Sequence, residues 1–177
     1  MRLIRLADAP PAPWRNGGGT TREIVRAPEG SAGDDFAWRL SVAEVAAAGP
    51  FSRFDRCDRI LVLLGGNGLS LEVAGETLVL DRPLAHLRFP GELPITARPV
   101  DGPTTDLNLI WRRDRSIVVM YEGSPSAPET LGGGHGEVVI AFSAVTGATR
   151  LGDPGEQLVV GSDDREVGFL IAPIERA

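Results

Sequence analysis

A single cysteine, Cys57, is all the chain contains, so no disulfide can form within it and a cysteine-rich zinc site is excluded. A reducing, cytoplasmic location is the expectation. Histidine is almost as scarce. His86 and His135 are the only two, with no His-x-His pair, which rules out a three-histidine metal centre. His135 lies in Gly132-Gly133-Gly134-His135-Gly136, a run too pliant to hold a metal ligand in place, and His86 opens a strand-like segment as a structural residue does. Neither a metal nor any other cofactor is expected. Positive charge is in deficit, with 18 basic against 24 acidic residues and a net charge of −6, so nothing draws the chain to nucleic acid or to an anionic membrane. Arg112-Arg113-Asp114-Arg115 is short and diluted, and reads as a solvated strand end. No apolar run approaches the ~20 residues of a spanning helix. The first residues alternate like a strand and then break at Pro10, Pro11 and Pro13, unlike a secretory segment.

Long helical periodicity is missing too, as 22 glycines and 14 prolines would require. Short alternating or apolar segments between turn residues take its place, and the chain reads as all-β. They include Trp38–Ala43, Arg59–Leu64, Leu69–Val73 and Thr77–Leu80 around an Ala74-Gly75-Glu76 turn, His86–Phe89, Thr105–Trp111, Ser116–Tyr121, Val138–Phe142, Leu158–Val160 and Val167–Ile171. One helical turn is expected over Val42–Ala48, closed by Gly49-Pro50. Gly75-Glu76-Thr77-Leu78-Val79-Leu80 is echoed by Gly155-Glu156-Gln157-Leu158-Val159-Val160, and Phe89 by Phe169 at the same offset. Two related β halves are expected, each hiding its sheet edges by curling or by packing. The first spans residues 1–121, a Gly/Pro/Ser-rich connector covers 122–136, and the second half covers 137–177. A free sheet edge would allow a homodimer.

Two strands carry polar stripes. The period of two sets Arg39, Ser41 and Ala43 opposite Trp38, Leu40 and Val42, and Asp106 and Asn108 opposite Leu107, Leu109 and Trp111. Such stripes face either solvent or a cavity. A glycine run in Trp14-Arg15-Asn16-Gly17-Gly18-Gly19-Thr20 adds a loop whose amides can approach an anion, flanked by a hydrophobic wall and an amide side chain. Arg39 and Arg59 suit a carboxylate, because guanidinium offers a planar fork of donors; the alternative is that they pair with Glu23, Glu44, Asp55 or Asp58.

In order along the chain, Trp14–Thr20, Trp38–Val45, Gly49–Phe54, Asp58-Arg59, Asp106-Leu107-Asn108 and Arg112-Arg113 resemble the HutD/Ves family. The resemblance implies a two-lobed, cupin-like β-barrel (bicupin) fold, an association with bacterial histidine utilisation, and binding of a small anionic pathway compound of the urocanate or formylglutamate type. It brings no established enzymatic activity. The shared polar positions fall on Trp14, Asn16, Thr20, Glu23, Arg39, Ser41, Ser52, Arg59, Asp106 and Asn108; Gly17, Gly18 and Phe51 complete the expected ligand-binding set. Cys57 stands where relatives more usually have a proline-glycine type turn, which bears on where Arg59 points.

Two other readings fit the same residues. A metal-free isomerase or small-amide hydrolase would draw its acid and base from Glu23, Glu44, Asp106 or His86, with Arg59 stabilising negative charge. Ser41 and Ser52 lie in no Gly-x-Ser-x-Gly elbow, and Cys57 beside Arg56 and Arg59 could have a lowered pKa. A purely structural module would leave the stripes in solvent.

Overall fold

The structure, a computed structural model, describes residues 1–123, 126–161 and 165–174. Its elements are β1 (Arg2–Arg5), a 3-10 turn (Leu6–Asp8), β2 (Pro11–Pro13), β3 (Gly19–Ala27), β4 (Trp38–Val45), β5 (Gly49–Pro50), β6 (Cys57–Gly65), β7 (Leu69–Val73), β8 (Glu76–Leu80), β9 (His86–Pro90), β10 (Ile95–Pro99), β11 (Thr104–Arg112), β12 (Ser116–Glu122), β13 (Glu129–Gly132), β14 (Val138–Ser143), β15 (Ala148–Leu151), β16 (Gln157–Val160) and β17 (Glu166–Pro173). None of the described residues forms a helix long and apolar enough to cross a membrane. The described residues are all-β.

Contacts divide the chain into a unit Pro10–Arg113 and a unit made of Met1–Ala9 with Asp114–Ala177. In the first, an antiparallel sheet in the order β2-β3-β4-β11-β6-β9 and a second in the order β5-β10-β7-β8 enclose one core. Val45, Leu61, Leu63 and Phe89 from one sheet meet Leu69, Leu71, Leu80, Ile95 and Ala97 from the other. Each buried Val, Leu, Ile or Phe among them contributes about 1.5–3 kcal/mol, so the sandwich rather than strand propensity holds the unit together. Among the described residues the two strand orders do not join, so this unit is a pair of facing sheets, not one closed ladder. β7 and β8 join through Ala74 and Gly75, both at positive φ, the two-residue turn that matches strand twist.

The second unit repeats the plan with a sheet in the order β1-β15-β14-β17-β12 and the pair β13-β16, around Leu131, Val139, Ala141, Leu158 and Val160. Its boundary differs from the expected one. β12 pairs with β17 and β1 with β15, so both belong with the later half of the chain although β1 opens the chain and β12 begins at Ser116. The expected connector 122–136 contains β13, which pairs with β16; residues 124 and 125 lie outside the described residues. The helical turn expected over Val42–Ala48 is strand as far as Val45, because Val45 finds backbone partners on both sides, opposite Thr104 and Gly19. A two-sided ladder satisfies more groups there than one isolated turn with a costly nucleus.

Candidate functional site

Register assembles the site. Residues directly opposite across antiparallel strands point to the same face. Ile110 of β11 lies opposite Arg39 of β4 on one side and Arg59 of β6 on the other. The next row toward the sandwich interior is Ser41, Asn108, Leu61, and the one after it is Ala43, Asp106, Leu63. The two arginines therefore stand two strands apart on one face, with Cα atoms roughly 10 Å from each other by strand spacing. At this end of the sheet a cavity of about 490 Å³ opens, and its wall includes Trp14, Asn16, Arg39, Ser41, Phe51, Ser52, Arg59 and Asn108 from the expected set.

Both guanidinium groups are held by aromatic rings. Arg59 lies 4.4 Å from the centroid of Phe51 and 5.4 Å from that of Phe89; Arg39 lies 5.2 Å from Phe54 and 5.5 Å from Phe36. Trp14 meets Phe51 edge-on at 6.4 Å, and its indole Nε1 donates to Thr21 Oγ1 at 2.7 Å. A desolvated cation on an aromatic face is anchored without an opposing carboxylate, and its in-plane donors stay available to a guest.

Arg59 makes no ion pair with Glu23, Glu44, Asp55 or Asp58. Its Nε donates to Asn108 Oδ1 at 2.8 Å, and its Nη2 donates to the same oxygen. Asn108 Nδ2 in turn donates to Asp106 Oδ1. Burial lowers the Arg59 pKa to about 10, with Arg39 adding and Asp106 opposing, so the group stays charged at neutral pH. Burial pushes Asp106 up to about 6 against the pull of Arg59 and Asn108. Arg39 is lowered by burial, with Glu23 pulling the other way from 3.8 Å; its Nε has no hydrogen-bond partner among the described residues. Glu23 itself is lowered, chiefly by its hydrogen bonds from Arg26.

Several expected contacts lie elsewhere. Thr20 pairs with Glu44 and takes the face opposite to Thr21, which is the threonine on the cavity wall. A one-residue shift in an alternating strand reverses the side. Gly17 and Gly18 do not reach the cavity. They shape a hairpin loop in which Gly18 N donates to Asn16 Oδ1 and Gly18 O accepts from Ala46 and Ala47. Gly19 is needed because a Cβ there would meet Glu44 O at 2.2 Å. Asp106 sits behind Asn108, off the wall, and Glu23 lines an adjoining outer cavity that shares Trp14, Thr21 and Arg39 with the inner one. Cys57 is buried with its pKa raised by desolvation, against the option of an activated thiol. Among the described residues no group of three His, Cys, Asp or Glu is arranged to hold a metal ion.

Sequence reasoning missed Thr21, Phe54 and Ile110 on the wall and Phe36 and Phe89 beneath the guanidiniums. Ile110 continues the Asp106, Asn108 alternation and was within reach of it. The aromatic seats come from other strands and leave no local signal.

The HutD family profile matches residues 6–161. An uncharacterised 21.2 kDa protein in the hutC 3' region of Pseudomonas putida is 36% identical over 126 residues, 70% of this chain and 66% of its own length. Protein Ves of Cronobacter sakazakii is 38% identical over 119 residues, 65% of this chain and 62% of its own length. The chain thus covers just under two thirds of each. The structure of HutD from Pseudomonas fluorescens SBW25 in a formate condition superposes with a TM-score of 0.85 at 26% identity, covering 98% of this chain and 99% of that one.

Proposed function

The chain belongs to the HutD family, which is associated with the histidine utilisation locus, and from that membership and the build of its cavity we propose that it is a non-catalytic binding protein for a small carboxylate of histidine catabolism, of the urocanate or formylglutamate type. By holding that compound it moderates the pathway. The observation that carries the reading is the pair of a buried Arg59 and a half-buried Arg39, both seated on aromatic rings, and both lining one cavity with Ser41 and Asn108. Cations kept dehydrated without full carboxylate pairing favour an incoming anion. Trp14 and Phe51 cover its apolar part.

A metal-free enzyme would need an acid or base at the wall. Glu23, Glu44, Asp106 and His86, the side chains available for it, are all absent from the inner cavity lining, which favours binding over turnover. The test is a thermal-shift panel of histidine-pathway carboxylates. A guest at 100 times its dissociation constant adds about 2.7 kcal/mol, or roughly 5–10 °C in Tm for a chain of this size. Arg39→Ala and Arg59→Ala should remove that shift while keeping the β-sheet circular dichroism. A panel that leaves the wild-type melting curve unmoved overturns the reading, and turnover of a panel member seen by NMR replaces it with the enzyme.

A further inference from the structure

Behind the cavity wall lies a carboxylate that the binding reading does not use. Asp106 is completely buried; its Oδ1 accepts from Asn108 Nδ2, and its Oδ2 has no hydrogen-bond partner among the described residues. An ionised carboxylate with an idle oxygen is costly to bury unless a cation compensates it or a proton neutralises it. The compensating cation is Arg59, reached through a single amide: Asn108 receives from Arg59 at Oδ1 and gives to Asp106 from Nδ2. Asp106 thereby fixes which way that amide points. Reversed, Nδ2 would confront the guanidinium, donor against donor.

We propose that Asp106 is a positioning residue that couples anion binding at Arg59 to the uptake of one proton: its carboxylate balances the guanidinium before the anion arrives, and it is protonated once the anion takes over as the partner of Arg59. This rests on the reading of the cavity as an anion site. The proton comes from the buffer and adds to the carboxylate as an O–H, leaving a neutral carboxyl in place of a second negative charge beside one cation.

The neighbourhood leaves Arg59 as the controlling charge. Across β11 from Asp106 stand Ala43 on β4 and Leu63 on β6. Arg59 on β6 acts on it directly, and Arg39 on β4 acts on Arg59. Glu23 on β3 is engaged by Arg26 and Arg39. The facing sheet presents Leu69, Leu71, Ile95 and Ala97, none of them titratable. His86 on β9 has its Nδ1 3.2 Å from Leu84 O. Burial, against the pull of Arg59 and Asn108, already places the titration of Asp106 at about 6, and a further negative charge at Arg59, by offsetting that pull, raises it toward neutrality.

By reciprocity, an anion that promotes protonation must itself bind more tightly as pH falls. Formylglutamate is the first probe and formate the second, because their carboxylates stay ionised between pH 5.5 and 8.5. Calorimetry at pH 7 in buffers of different ionisation heat should report uptake approaching one proton per guest, and affinity should rise about tenfold or more from pH 8.5 to 5.5. Asp106→Asn should take up no proton and bind equally at all these pH values, near the wild type's acid-side affinity. Wild-type binding with no proton uptake and flat pH dependence overturns the proposal and leaves the anion site standing, as does a folded Asp106→Asn that keeps the wild-type uptake. If Asp106→Asn does not fold, the wild-type proton count decides alone. Failure of the wild type to bind either probe at any pH overturns the anion site and this proposal with it.

Discussion

Asp106 makes the protein's own stability depend on pH in a direction opposite to the usual carboxylate. Its folded pKa, about 6, lies above the ~3.9 of an unfolded aspartate, so between those values the native state holds the extra proton. Its contribution is present in full below the unfolded value and is lost as pH rises through about 6. We expect the stability difference between wild type and Asp106→Asn to change by about 2–3 kcal/mol between pH 4 and 7, with the wild type relatively favoured at the acid end, by urea denaturation at each pH. A constant difference would mean that Asp106 is neutral, or ionised, in both states throughout. Glu23 runs the other way: lowered chiefly by Arg26, it contributes above the unfolded glutamate value and is lost as pH falls below it. At Arg59 the guanidinium plane is the point, since it stacks on Phe51 while donating twice to Asn108. Arg59→Lys keeps the charge and loses both, so it should bind formylglutamate about tenfold or more weakly while remaining folded. Arg39 was legible from the alternation of Trp38–Ala43, and Arg59 from the Asp58-Arg59 pair that carries the family resemblance. Phe51 was named with them, but the seats at Phe36, Phe54 and Phe89 were not, since these are brought there by loops and strands whose pairing the local pattern does not encode.

At the scale of strands, the two-residue period explains both what could be foreseen and what went astray. It put Arg39 with Ser41 and Asp106 with Asn108 on common faces, and the ladder β4-β11-β6 makes these one face. It was silent on β3, where a register irregularity between Glu23 and Val25 and the hairpin with β2 decide that Thr21, not Thr20, looks into the cavity. Thr21→Val should therefore strip Trp14 Nε1 of its acceptor and cost about 1 kcal/mol or more, a Tm drop of roughly 2–4 °C, whereas Thr20→Val should be near neutral. Equal effects would mean that strand β3 is out of register. The glycine run tells the same story. Its signal was real, but its cause is packing against β4. Gly19→Ala should cost about 1–3 kcal/mol by driving Glu44 O and the Trp14 ring aside, with guest affinity reduced through Trp14.

Across the whole chain, the echo between Gly75–Leu80 and Gly155–Val160 marks two units of the same plan, with the glycine of each at positive φ, Gly75 at 86° and Gly155 at 84°. The pairing after the shared turn differs, because β8 joins a four-stranded sheet through β7 whereas β16 pairs with β13. A repeat in sequence fixes the local turn and not the partner, so it does not reveal that β12 and β1 pair with β17 and β15. Every residue of the inner cavity lies between Pro13 and Ile110, within the unit Pro10–Arg113. Residues 1–9 contribute instead a ladder to β15 and an ion pair from the N-terminal amine to Asp153 and Glu156. Removing them takes away an edge strand and leaves the cavity wall its full set of residues. Hydrogen exchange should then show lost protection at Ala148–Leu151, while the amides of Arg59–Leu63 keep theirs and the melting curve still responds to formylglutamate. If exchange instead rises first around Arg59 and the guest response vanishes, the cavity depends on the leading strand, and the assignment of the site to one unit is wrong.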